Sequence, residues 1–163
     1  MKITDIKWWA LTANWRSIVY LKVYTDEGIT GVGEATIERN TLEVQAALES
    51  VRTLLISRNP LEITSLWQGM VMHPIWRPGM STMSAISGIE IALWDIMGKT
   101  LNVPVYQLLG GKVRDRIRAY ANGWFHKTAT RPACSTIGDF AAAAAEAVER
   151  EGYQALMWDP FGP

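Results

Sequence analysis

The sequence predicts an α+β fold: an antiparallel three-stranded meander, then a helical bundle, then a strand–helix–strand unit. Three observations carry this. Ser17–Tyr24 alternates Val19, Leu21 and Val23 with Tyr20, Lys22 and Tyr24, the period of two of a half-buried strand. Ser81–Lys99 places Ala85, Ile89, Ala92, Leu93 and Ile96 on one broad apolar helical face. Beyond Gly110-Gly111, strand-like runs at Arg116–Asn122 and Gln154–Trp158 flank a helical run at Ile137–Arg150. That is the grammar of a parallel pair joined by a crossover helix.

Taken in order, Lys2–Leu11 is the first strand and Ser17–Tyr24 the second. Thr25-Asp26-Glu27-Gly28 is a hairpin loop in which Gly28 supplies a positive φ, and Ile29–Thr36 is the third strand. Asn40, with Glu43 three residues on, starts a helix reaching about Ile56. Asn59-Pro60-Leu61-Glu62 repeats the signal, with proline at the first helical position, and that helix stops near His73-Pro74. The long helix Ser81–Lys99 ends before Asn102-Val103-Pro104, and a short helical turn runs to Leu109. Thr136 caps the last helix, with Asp139 in its first turn.

With 163 residues, 48% of them hydrophobic, the chain has enough apolar side chain for a packed core. Sixteen basic residues balance sixteen acidic ones, which removes the electrostatic footprint of a general nucleic-acid binder. No apolar run is long enough for a membrane span, and MKITDIKWW lacks the apolar core of a signal peptide. The expectation is a cytoplasmic protein. Cys134 is the only cysteine, so no internal disulfide and no Cys/His zinc cluster can form. Eight tryptophans need large partners, and Trp8, Trp9, Trp67 and Trp94 fall in periodic elements as core or interface residues.

The candidate chemistry is sparse. Gly31-Val32-Gly33-Glu34 lacks the third glycine and the following helix of a dinucleotide fingerprint, so close backbone packing is the better account. Gly110-Gly111-Lys112 lacks the rest of a P-loop and reads as a helix stop. Neither His73 nor His126 has a second histidine or a carboxylate at metal-binding spacing. His126 and Asn122 lie at and just after the carboxyl end of a βαβ strand, where parallel folds gather ligands, although an exposed loop histidine has the same pattern. Trp15 and Arg16 sit at the tip of the first hairpin, where an aromatic beside a guanidinium suits a carboxylate or a polyol. Met157 and Asp159 share one face at the end of the last strand. Asp159 there is either an acid, base or acceptor, or a cap on the turn before Pro160.

The run Met83–Lys99, with its Ala92-Leu93-Trp94-Asp95-Ile96-Met97-Gly98-Lys99, together with Val103-Pro104-Val105-Tyr106-Gln107-Leu108-Leu109-Gly110-Gly111, resembles the enolase superfamily. The closer likeness is to its mandelate racemase and acid-sugar dehydratase branch. Thr25–Gly28 with Gly31-x-Gly33-Glu34, Arg114–Tyr120, and Gly152-Tyr153 with Trp158–Gly162 extend the likeness over nearly the whole chain. The resemblance implies a capping, or lid, domain over residues 1–112 and the first βαβ unit of a truncated TIM-type barrel over 113–163. It also implies a magnesium-dependent lyase acting on a sugar acid, and a homo-oligomer. The family's three metal carboxylates stand on later barrel strands, so no magnesium ligand, and no bound magnesium, is expected in this chain alone. Where the family often has Lys-x-Lys, this sequence reads Met157-Trp158-Asp159. A thioether takes no proton, which argues against a racemase base here and leaves a dehydratase compatible. The lid segments Thr12–Arg16 and Thr36–Asn40 nominate Trp15, Arg16, Glu38 and Arg39 as substrate contacts. The rival expectations are a racemase or epimerase of the same superfamily, and a non-catalytic binding or assembly domain ending at Pro163.

Overall fold

The computed structural model describes residues 1–13, 16–73, 77–127 and 132–158. Contacts divide the chain into two units, Met1–Lys112 and Val113–Pro163. In the first, strands β1 (Ile3–Ala13), β2 (Arg16–Thr25) and β3 (Thr30–Glu34) form an antiparallel sheet in the order β1-β2-β3. The register sets Trp8 opposite Leu21, and Leu21 opposite Gly33. Val19, Leu21 and Val23 are fully buried, and the alternate residues of β2 face outward or sit half-buried. The period of two is the imprint of a sheet with one covered face. Gly28, at φ 80°, turns the chain from β2 into β3.

Helices α1 (Thr41–Leu55) and α3 (Met80–Leu101) cover that face, and α2 (Ile63–Met72) packs against both of them. Ala85, Ile89, Ala92, Leu93 and Ile96 of α3 are fully buried, so the apolar stripe marks the contact surface. The Gly31/Gly33 pair explains how close the layers come. A Cβ at Gly31 would be driven into the carbonyl oxygen of Ala92, and one at Gly33 into that of Gly88. Backbone therefore packs on backbone, as expected for glycines in a strand that another element approaches closely. Asn102, left-handed at φ 54°, ends α3, and α4 (Val105–Leu108) follows.

Several boundaries differ from the sequence reading. Asn40 precedes α1 but makes no side-chain cap bond. The helix read as starting at Pro60 begins at Ile63. Asn59 Oδ1 instead accepts from the Leu61 N–H at 3.1 Å, an Asx turn that consumes the residues expected to open the helix. Of the core and interface alternatives for Trp9, the core is excluded, because it lies on the outer face of the sheet at 46% exposure, whereas Trp8, Trp67 and Trp94 pack against the core.

The two edges of the sheet are finished differently. On β3, Asp95 Oδ2 accepts from the Val32 N–H at 2.9 Å, and Lys99 Nζ donates to the Thr30 carbonyl at 2.7 Å and to Asp95 at 2.6 Å. Side chains of α3 thus stand in for a fourth strand. On β1, Ile3 exchanges backbone bonds with Arg58 and Ser57 (2.9 and 2.8 Å), and Asp5 Oδ1 accepts from the Ile6 N–H beside a β-bulge. The Arg52 guanidinium, 2.8 Å from Asp5, holds that carboxyl below the usual carboxylate range.

In the second unit, α5 (Ile137–Glu149) carries a full capping box with Thr136 and Asp139. The two flanking strands contract to a single parallel bridge between Ala121 and Leu156, closed by Ala121 N to Ala155 O (3.0 Å) and Met157 N to Ala121 O (2.8 Å). The reason is topological: a parallel strand takes its bonds from neighbours on both sides, and among the described residues each of these runs has only the other. No described helix is long and apolar enough to cross a membrane.

Candidate functional site

The end of the β1–β2 hairpin and the segment leaving β3 bring candidate residues together. β2 opens at Arg16, and β3 runs into the stretch carrying Glu38 and Arg39. Ala35 N bonds to Val19 O at 2.8 Å, and Val19 N to Thr36 Oγ1 at 3.0 Å, so this stretch is tied to β2 beyond the end of the ladder. Arg16 then meets Glu38, Nη2 to Oε1, at 2.6 Å, with both side chains about half exposed. At that exposure the pair contributes little to stability, roughly 0–1 kcal/mol. Arg39 has a left-handed backbone, φ 64°, uncommon for a residue other than glycine. Arg16, Ser17, Glu38, Arg39 and Thr41 line a recess of ≈ 300 Å³.

This recess offers a carboxylate acceptor, guanidinium donors and two hydroxyls, groups able to hydrogen-bond a polar ligand. Ser17 and Thr41 went unnoticed in the sequence, where a hydroxyl residue carries no positional signal. Trp15 lies outside the described residues.

In the second unit, Asn122 is exposed and lines a separate recess of ≈ 410 Å³ with Tyr120, Trp124, Glu146 and Tyr153. His126 is exposed, its N–H bonds to the Gly123 carbonyl at 3.0 Å, and its ring stands 4.5 Å from that of Phe125. Met157 is 47% exposed, and its carbonyl accepts from Trp124 Nε1 at 2.9 Å. Trp158 stacks on Phe140 at 5.0 Å. Alternation sends Trp158 onto α5 and Met157 to the opposite side. Asp159 lies outside the described residues. Among the described residues, no three His, Cys, Asp or Glu side chains converge where a cation could sit.

A three-stranded antiparallel sheet backed by helices, with a polar recess at its hairpin end, defines an enolase-type capping domain. Residues 4–110 match the model of the mandelate racemase / muconate lactonizing enzyme N-terminal domain, and the chain belongs to that family. It is 49% identical over 121 residues to D-galactonate dehydratase of Klebsiella pneumoniae, covering 74% of this chain and 31% of that protein. With the D-galactonate dehydratase of Verminephrobacter eiseniae the identity is 47% over 124 residues, 76% of this chain and 31% of the relative. The chain thus spans about a third of the length of these curated relatives. A solved enolase from Pantoea ananatis, with D-gluconate and magnesium bound, superposes with a TM-score of 0.79 at 34% identity. That match covers 95% of this chain and 35% of the neighbour.

Proposed function

We infer that this chain is the lid-bearing N-terminal portion of an acid-sugar dehydratase. Such a hydro-lyase removes the proton α to a sugar-acid carboxylate and expels a β-hydroxyl. Residues 1–112 form the lid, and 113–163 supply the first strand–helix–strand unit of the barrel. The observation that carries the reading is the Arg16–Glu38 pair beside Arg39 at the hairpin end. It is supported by the likeness to D-galactonate dehydratases and to a gluconate-bound enolase.

In this reading Glu38 accepts from substrate hydroxyls while Arg16 and Arg39 donate to hydroxyl or carboxylate oxygens. Closing such a lid holds the polyol chain in one orientation and excludes water from the reacting carbon. Trp15 completes the lid. In the second unit, Asn122 and His126 are candidate substrate-binding residues, and Asp159 a candidate acceptor or acid. Met157 takes no part in proton transfer, because a thioether has no proton to exchange. That favours a dehydratase whose base stands elsewhere in the whole protein over a racemase with a base on this strand. Magnesium, when bound to the whole protein, stabilises the negative charge that develops on the substrate carboxylate.

The test uses the whole protein with D-galactonate and D-gluconate, following 2-keto acid release. Arg16→Ala and Glu38→Ala are each expected to raise KM about tenfold or more with the melting temperature unchanged. A whole protein that leaves both hexonates intact sinks the reading. So do lid variants with parental kinetics.

A further inference from the structure

The segment that carries Glu38 leaves the sheet through a side-chain hydroxyl. Ala35 follows Glu34, which the register pairs with Tyr20, so it stands opposite Val19. A continued ladder would close that pair with two backbone bonds. The first is present, from the Ala35 N–H to the Val19 carbonyl at 2.8 Å. In place of the second, the Val19 N–H donates to Thr36 Oγ1 at 3.0 Å. The hydroxyl thus substitutes for the Ala35 carbonyl, and the backbone departs from β2 while the last donor stays satisfied. Val19 is fully buried, so its N–H has no water to turn to. The Thr36 carbonyl in turn accepts from Ser84 Oγ of α3 at 3.4 Å.

Glu38 lies two residues beyond this tie. Ile37 packs against the core, and the Asn40 N–H closes a turn on the Ile37 carbonyl at 3.3 Å, with Arg39 left-handed inside it. The Asn40 carbonyl then accepts from the Val44 N–H at 3.0 Å, at the head of α1. Of residues 36–41 only Glu38 and Arg39 are exposed. We propose that Thr36 is the positioning residue of the recess: its hydroxyl fixes where Glu38 stands and so holds that carboxylate on Arg16. Thr36 is half-buried and is not among the residues lining the recess, so it acts on a ligand only through Glu38. The oxygen is what matters, not the shape of the side chain. Valine fills nearly the same volume without an acceptor, and serine keeps the acceptor. The consequence for substrate affinity rests on the acid-sugar reading above, whereas the positioning itself does not.

Two measurements keep these apart. In the 163-residue chain, NMR follows the Arg16 guanidinium N–H signals and the exchange of the Val19 amide. Thr36→Val, with parental circular dichroism, is expected to move the Arg16 signals to where Glu38→Ala puts them and to speed Val19 exchange about tenfold or more. Thr36→Ser is expected to keep both near the parent. Arg16 signals that stay parental in Thr36→Val overturn the proposal, whatever the substrate, and so does a serine variant that behaves like valine. In the whole protein with D-galactonate or D-gluconate, Thr36→Val is expected to raise KM about fivefold or more with kcat within about twofold, and Thr36→Ser to restore it. On a Glu38→Ala background, Thr36→Val is expected to add nothing further. A parental KM in Thr36→Val beside a raised one in Glu38→Ala overturns the proposal, as does a loss that adds in full to that of Glu38→Ala. Parental kinetics in Glu38→Ala sink the acid-sugar reading instead, and the Arg16 signals then decide the positioning alone.

Discussion

At Gly33, one hydrogen atom decides whether sheet and helix can meet. Its hypothetical Cβ would collide with the Gly88 carbonyl oxygen, a backbone atom that cannot rotate aside. Gly33→Ala is therefore expected to cost about 3 kcal/mol or more, the range of overpacking with backbone displacement. Leu93→Ala, which empties a fully buried site on the same helix, is expected to cost about 2–5 kcal/mol. Urea titration of both variants checks this, and a Gly33→Ala protein with the parental midpoint would contradict the close approach. The glycine pair was legible in the sequence as packing rather than phosphate binding, because the helix that a phosphate turn needs does not follow it. The site was legible only in part. Arg16, Glu38 and Arg39 were nominated as loop positions, but the 2.6 Å pairing of residues 22 apart depends on strand register, which no local pattern records.

At the level of elements, side chains finish what backbone pairing leaves open. Asp95→Ala removes the acceptor for the Val32 N–H and the partner of Lys99. The expected loss is about 1–2 kcal/mol, with faster amide exchange at Val32, while exchange in the fully buried part of β2 is unchanged. Uniform acceleration across the sheet would assign Asp95 a global role instead. In α5, backbone and hydroxyl bonds from Ser135 and Thr136 hold the Asp139 carboxyl down at about 2. A depressed carboxylate stabilises the fold above its unfolded value and loses that contribution as pH falls through the folded one. The difference in melting temperature between the parent and Asp139→Ala should thus be full above about pH 4 and vanish near pH 2. A difference independent of pH would show that the charged cap is not its source. Such elements were readable where one side chain's chemistry has one outcome, as with Thr136. They were misread at Asn59-Pro60, because the same residues that open a helix also form an Asx turn.

Across the whole molecule, the two units differ in how much they bury. The first has a continuous core from Ile3 to Ile96, while the described part of the second buries chiefly Ala121, Ala143 and Ala147. Val113, Ile117 and Ile137 are 85–91% exposed. The 163-residue chain is accordingly expected to bind a hydrophobic dye strongly, and Ile117→Glu with Ile137→Glu to reduce the signal by about half or more. An unchanged signal would place the dye elsewhere. The same chain is expected to release no 2-keto acid from D-galactonate and to show no micromolar magnesium site by calorimetry, since a hard cation needs several converging oxygens. Heat from such a site would contradict the donor geometry of the described residues. The parallel strands were the least legible part of the fold. An apolar run names a strand, but only neighbouring backbone makes it a ladder.

The contact of β3 with α3 also constrains what mutation can repair. At most core sites a misfit on one side chain can be relieved by trimming another, so second-site suppressors exist. At Gly31 and Gly33 the opposing atoms are the carbonyl oxygens of Ala92 and Gly88, which every amino acid carries. No replacement at residue 92 or 88 removes them. A suppressor search starting from an alanine at either strand position should return the original glycine and nothing along the facing helix. Evolution at this seam therefore has no paired path to follow, and the strand and helix must drift, if at all, as a single inherited block.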